Sequence, residues 1–345
     1  MAGPPLPQFD GFPEALLETS ATELWRLLPG AALFRIPGRR REPLFLTVLQ
    51  HGNEDTGWRA AQAVLRRYRG SRLGRSLLLF VGNVAAAREN VRTLPHQDDF
   101  NRCWPGTARP DRPLARMLRD VVEMVRRAAP FASVDIHNNS GYNPHYACVS
   151  SLKESHLQLA RLFSRTVVHF EQPLGVQSAA LAQVCPAVAV ECGRAGEPAS
   201  VAHATEFIES VLALEHFPEH MVPASDLDLM ATRAIVKIPA AASFSYDGSD
   251  ADFRLRADLD HLNFSELDPG TLFGHLGRAG TCRFEVEAAG AYGDADTGAG
   301  PYFDYAGGEV RLAQRAIPAM LTLDPRAVRL DCLGYLMRRI ARAAP

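Results

Sequence analysis

Between residues 44 and 214 short apolar runs alternate with amphipathic stretches, a pattern that predicts strands and helices in turn. LFLTVL at 44–49 reads as a buried strand, then comes a loop carrying His51, Gly52, Asn53 and Glu54, and residues 58–68 have helical spacing. SLLLFV at 76–81 repeats the motif, with a polar, proline-containing loop over 82–112 and a helix over 113–128. A third run, FASVDI at 131–136, ends at His137; a helix at 155–163 and a strand at 166–170 follow. AVAV at 187–190 runs into Glu191, Cys192 and Gly193, and 201–214 is amphipathic. Strands with helices between them imply a sheet covered on both faces. Ahead of this region, residues 14–28 predict one further helix.

The texture changes near residue 222. Short β-like runs at 234–238, 282–287, 309–312 and 316–323 are separated by Gly- and Asp-rich turns, as in an antiparallel β domain. The stretch 290–300 is rich enough in Gly, Ala and Asp to read as a flexible loop. Asp324 can cap a final helix with Pro325 in its first position, its apolar face formed by Val328, Leu330, Leu333, Leu336, Met337 and Ile340. Two domains are therefore expected, 1–220 of α/β type and 221–345 rich in β structure and ending in a helix.

With 345 residues, 47% of them hydrophobic and 22% charged, the chain can bury a large core. Its 37 basic and 39 acidic residues leave a formal charge of -2, so neither nucleic acid nor an acidic membrane is an expected partner. No long apolar span or secretory leader is visible, and the expected location is the cytoplasm. Six cysteines without a CxxC pair read as reduced thiols in or near the core.

Three polar residues, His51, His137 and Glu191, fall at the C-terminal ends of expected buried strands, the edge where open α/β sheets bind ligands. His51 and Glu54 are three residues apart, close enough to bind one ion, and a distant histidine such as His137 would complete a His2Glu set of the kind a catalytic zinc uses. Asp135, two residues before His137, is placed to support that ligand from behind.

HGNE at 51–54, DDFNRCWPG at 98–106, DIHNN at 135–139 and VECG at 190–193, in this order, resemble the succinylglutamate desuccinylase and aspartoacylase family, a branch of the zinc carboxypeptidase-like, M14-type metallohydrolases. The resemblance covers about residues 44–215 and implies a mixed sheet flanked by helices, with a smaller β-rich C-terminal domain. It implies one zinc per chain held by His51, Glu54 and His137, with Glu191 as the general base that takes a proton from the activated water and returns it to the leaving amine. By the same resemblance Asn101 and Arg102 bind a substrate carboxylate, a task suited to the planar guanidinium fork; a loop ion pair with Asp98 or Asp99 is the alternative. Arg92 is the candidate for the developing oxyanion, although it stands further from the Asn-Arg pair than is usual in the family. Asn138, beside the second histidine, and Tyr302, in the Gly-rich part of the C-terminal domain, are further substrate-binding candidates.

One departure bears on specificity. Aspartoacylase carries an arginine before the catalytic glutamate that reads its substrate's acidic side chain, whereas 175–190 here contains no Arg or Lys and offers Gln177, Ser178 and Gln183 among small apolar residues. A neutral or apolar substrate side chain is therefore expected. The implied activity is hydrolysis of the amide of a small N-acyl amino acid or related carboxylated compound. A carboxypeptidase acting on peptide C-termini and a metal-bearing carboxylate-binding protein without turnover are the rivals, and a homo-oligomer is left open.

Overall fold

The computed structural model describes residues 6–278, 280–289 and 301–341; the 290–300 stretch read above as a loop lies outside them. The chain forms two compact units, one made of residues up to 138 with 145–169 and 173–228, the other of 139–144, 170–172 and the chain from 229 onward.

The larger unit contains β1 (Gln8–Asp10), α1 (Glu14–Leu17), β2 (Ala32–Ile36), β3 (Gly38–Val48), α2 (Thr56–Arg67), β4 (Leu73–Val81), α3 (Val84–Arg88), α4 (Pro113–Arg127), β5 (Ala132–Asn139), β6 (His145–Val149), α5 (Glu154–Phe163), β7 (Thr166–His169), α6 (Gln177–Leu181), β8 (Ala187–Arg194) and α7 (Pro198–Ala213). Its strands lie in the order β1-β2-β4-β3-β5-β8-β6-β7. β3 runs parallel to β4 and to β5, whereas β2 pairs antiparallel with β4 and β6 with β8, so the sheet is mixed. The C-terminal part of β3 (residues 43–48) and all of β5 are buried, both faces being covered as in parallel sheets generally. Phe45, Phe80 and Trp104 pack with Leu118, Val121 and Val125 of α4 into one apolar cluster on this sheet.

The expected helix over 14–28 is broken. Only α1 and a 3-10 turn, Ala21–Arg26, form. The carbonyls that a continuous helix would use internally are instead taken by side chains of α2: Gln62 Nε2 donates to Leu16 O and Thr19 O at 2.7 and 2.8 Å, Trp58 Nε1 to Thr19 O at 2.9 Å, and Arg66 to Leu17 O at 2.6 Å.

The β-rich unit is built from β9 (Asp228–Lys237), β10 (Phe244–Ser245), β11 (Phe253–Leu255), β12 (Leu272–Leu276), β13 (Glu285–Ala288), β14 (Phe303–Asp304), β15 (Glu309–Leu312), β16 (Ile317–Ala319), α8 (Pro325–Leu330) and β17 (Gly334–Arg339). β9 pairs antiparallel with β17 and with β13, and β10-β11-β12-β15-β14 form a second sheet. Phe253, Phe273, Phe284 and Phe303 fill the core of this unit.

Here the sequence expectation needs correction. Asp324 caps α8 through a 2.8 Å bond from Arg326 N, with Pro325 in the first turn, but the helix stops at Leu330. Leu336 and Met337, assigned above to a helical face, are buried in β17 paired with β9 instead, and Leu333, just ahead of it, is buried with its N–H donating to Val236 O at 2.8 Å. The segment Gly334–Arg339 supports either period over so short a span, and an available edge of β9 decides between them. The last described element is thus a strand.

Candidate metal centre

The parallel pairing of β3 with β5 sets Thr47 opposite Asp135. Beyond β3 the chain reverses at Leu49, a fully buried residue with φ of 55°, a left-handed conformation that costs a non-glycine residue about 1–2 kcal/mol. This turn delivers Gln50 and His51 over the end of β5. Gly52 is forced by close approach to α3: a Cβ there would lie 2.1 Å from the carbonyl carbon of Ala86. Its N–H donates to Arg92 O at 3.1 Å, which fixes the loop that carries Arg92.

His51, Glu54 and His137 converge, each buried, with one potential ligand atom from each lying within 4.8 Å of the others. Glu54 is the centre of the set. Its Oε1 is 2.8 Å from His51 Nδ1 and its Oε2 is 2.8 Å from His137 Nδ1. The outer ring nitrogens face other carboxylates, His51 Nε2 at 3.1 Å from Asp99 Oδ1 and His137 Nε2 at 2.8 Å from Asp135 Oδ2. Each ring is thereby turned so that Nδ1 faces the cluster, and a carboxylate behind a ligating imidazole fixes its tautomer. Two imidazoles and one carboxylate that share a buried focus fit a divalent metal of the zinc type.

Charge in the cluster follows from these contacts. Burial disfavours protonation of His51 and His137, but the carboxylates of Glu54 and Asp99 around the first, and of Asp135 and Glu54 around the second, outweigh it and raise both imidazoles above their usual range. Burial likewise disfavours ionised Glu54 and Asp99, and here the cationic neighbours win, holding both carboxyls low.

Glu191, near the end of β8, behaves in the opposite way. Burial, reinforced by the negative charge of Glu54, pushes its carboxyl up from 4.5 to about 7 against the pull of His137, His51 and Arg92. Its Oε2 is shielded from solvent and has no hydrogen-bond partner among the described residues. A carboxyl poised near neutrality beside a metal-type cluster is equipped to exchange a proton at physiological pH.

The remaining candidates occupy distinct positions. Arg92 sits at the edge of the cluster, 3.1 Å from Asp99 Oδ2 and 3.8 Å from Glu54 Oε1. Asp99 therefore holds both His51 and Arg92, a role not visible from sequence, where it figured only as a salt-bridge alternative. Asp98 pairs with Arg112 at 2.9 Å. Arg102 is half-buried next to Asn101 and donates to its carbonyl at 2.8 Å. Asn101 is buried, its Oδ1 accepting from Gln177 N at 3.0 Å and its Nδ2 lying 3.1 Å from His137 Nε2. Asn138 lies beside Glu54, its backbone N–H donating to Oε2 at 3.3 Å. Its side chain bridges Thr56 N and Gly193 O at 3.3 and 3.1 Å, the position of a brace between loops.

Tyr302 belongs to the β-rich unit and is half-buried against that unit's apolar cluster. The polar side chains expected around the substrate are placed differently. Gln177 is fully buried and donates to Ser133 Oγ at 2.7 Å, Ser178 is buried as well, and Gln183 is exposed. The helical turn of α6 points the first two into the protein.

A family model, the succinylglutamate desuccinylase/aspartoacylase catalytic domain, matches residues 42–217. No curated protein sequence matches the chain. Among solved structures, the chain is similar to the succinylglutamate desuccinylase from Chromobacterium violaceum, with 18% identity over 91% of this chain and 90% of that one and a TM-score of 0.57. It is similar to a succinylglutamate desuccinylase/aspartoacylase from Rhodobacter sphaeroides, with 18% identity, 89% and 88% coverage and a TM-score of 0.58. Murine aminoacylase 3 gives 16% identity, 88% and 96% coverage and a TM-score of 0.52. At such identities the structural likeness is one of fold.

Proposed function

The chain belongs to the succinylglutamate desuccinylase/aspartoacylase family, and from that membership we propose that it is a zinc-dependent deacylase cleaving the amide of a small N-acyl amino acid or related carboxylated compound. The observation that carries this reading is the buried convergence of His51, Glu54 and His137 next to Glu191, whose carboxyl titrates near neutrality.

His51 and His137 would bind the zinc through Nδ1 and Glu54 through its carboxylate. When bound, the metal supplies Lewis acidity to the scissile carbonyl and lowers the pKa of a nearby water to about 7. Glu191 takes the proton of that water and passes it to the departing amine, for which a carboxyl near neutrality is well matched. Arg92, held in place by Asp99, offers a guanidinium at the edge of the cluster where the carbonyl oxygen gains charge. Arg102 binds the substrate carboxylate. The segment 175–190, free of Arg and Lys, favours a substrate whose amino-acid side chain is neutral or apolar over one with a second carboxylate.

The test is metal analysis of the purified wild type and His137→Ala, combined with mass-spectrometric screening of N-acyl amino acids and short peptides. About one zinc per chain and release of amine from an acyl amino acid, both lost in the variant, is the expected result. Turnover of peptides instead would move the assignment to a carboxypeptidase, and a metal-free, inactive wild type would overturn it.

A further inference from the structure

Behind His137 lies a buried set of polar side chains that the proposed chemistry does not use directly. Gln50, immediately before the first metal-type histidine, is completely buried. Its Oε1 accepts from the indole Nε1–H of Trp104 at 2.6 Å, and its Nε2 donates to Asp135 Oδ2 at 2.6 Å, the same oxygen that faces His137 Nε2. Nε2 is also 3.4 Å from Asn101 Oδ1. Thr47, opposite Asp135 on β3, donates its hydroxyl to the other carboxylate oxygen.

Elementary donor and acceptor rules fix the direction of this chain. An indole nitrogen only donates, so the amide oxygen of Gln50 must face Trp104, and its NH2 must then face Asp135. With donors arriving from Thr47 and Gln50, Asp135 acts purely as acceptor, and His137 presents Nε2–H to it. With Nε2–H committed to Asp135, Nδ1 is the ring position that faces Glu54 and the one a metal would take once its proton is displaced.

We infer that Gln50 is a positioning residue whose amide couples the Trp104 segment to the orientation of the metal-binding imidazole of His137. This inference rests on the zinc reading proposed above. Trp104 follows Asn101 and Arg102 by three and two positions, so the segment that would bind the substrate carboxylate and the ring that would bind metal share one buried side chain. An apolar residue at position 50 would strand the indole N–H and remove a donor from Asp135, and the ring would lose the fixed support of that carboxylate.

The experiment compares wild type, Gln50→Leu, Trp104→Phe and the double variant as full-length chains stripped of metal by chelation. Zinc affinity is measured by competition with a chromogenic chelator at fixed pH, and the melting temperature of each metal-free protein is recorded beside it. Gln50→Leu is expected to weaken zinc binding about tenfold or more, the low end of the range for loss of partners behind a ligand. Trp104→Phe should weaken it less, and the double variant no more than Gln50→Leu alone, because Trp104 acts through Gln50. A purely structural role would lower the melting temperature and leave zinc affinity within twofold of wild type, and that outcome overturns the inference. Should Gln50→Leu fail to fold, Trp104→Phe decides: it deletes one N–H under a retained aromatic face, and an affinity within twofold of wild type there refutes the coupling. A wild type that binds no zinc removes the zinc reading together with this one, whereas a zinc-binding wild type with unaltered variants removes this one alone.

Discussion

Replacing Glu191 by glutamine tests stability and chemistry in one molecule. Ionised Glu191 is disfavoured in the folded protein, chiefly by burial, so that its carboxyl titrates at about 7 instead of 4.5. At about 1.4 kcal/mol per pH unit, the metal-free protein is destabilised by about 3 kcal/mol once the group is ionised. The sign follows from linkage: for a raised carboxyl the penalty is absent below pH 4.5, grows between 4.5 and about 7, and is constant above. Glutamine has the same shape and no charge, although its N–H donors enter the same dry surroundings and cost about 1 kcal/mol. Glu191→Gln should therefore be more stable than wild type by about 2 kcal/mol at pH 8 and no more stable at pH 4.5. At about 2 °C per kcal/mol for a chain of this size, the gain in melting temperature at pH 8 is about 4 °C. The assay is thermal unfolding of chelator-treated protein at both pH values, with zinc content and turnover measured on the reconstituted variant. Zinc should be retained and turnover lost. A melting-temperature difference that is the same at both pH values would show that the carboxyl is not a destabilised buried acid, and near-normal turnover would remove it from the proton-transfer role.

Three other outcomes are expected. Zinc affinity should rise with pH by up to tenfold per unit for each proton displaced, because His51 and His137 hold protons above their usual range in the metal-free cluster; calorimetry in two buffers of different ionisation heat would detect the released protons, and a pH-independent affinity would contradict the charge assignment. Arg102→Ala should raise KM for a carboxylated substrate about 10- to 100-fold with a smaller effect on kcat, as expected for loss of a charge-assisted contact, and an unchanged KM would place the carboxylate elsewhere. Gly175→Ala should lower stability by about 1–3 kcal/mol in urea titration, since residue 175 has φ of 75° and an added Cβ would stand 2.5 Å from Arg102 O; a variant as stable as wild type would argue against that packing.

The parts of the fold legible in the sequence were those in which one period dominates. The run 44–49, the helix of 113–128 and the strand ending at His137 each bury one consistent face or both, and they occur as β3, α4 and β5. Residues 14–28 and the chain after Leu330 misled because tertiary partners outrank local spacing: side chains of α2 capture the carbonyls of the first, and the edge of β9 captures the second. The convergence of His51, Glu54 and His137 was legible because His51 and Glu54 stand three residues apart and His137, with Asp135 two positions before it, falls at the end of a clearly patterned strand. Asp99 and Gln50 were not, since their partners stand far away in sequence. The available signal for Gln50 was a large polar residue closing an otherwise apolar run, directly before a candidate ligand.

The in-register pairing of Thr47 with Asp135 also bears on the order of events during biosynthesis. His51 and Glu54 emerge from the ribosome together, but the third member of their set is 83 residues beyond Glu54, on a strand that is flanked on its other side by β8. Until residue 194 has been made, β5, the strand that carries His137, lacks the neighbour on its second edge. In a zinc finger the ion organises a short peptide around itself; on the zinc reading proposed above, the complete ligand set here depends on long-range strand pairing. If zinc is the metal, chains made without it are expected to fold first and to take up the ion afterwards.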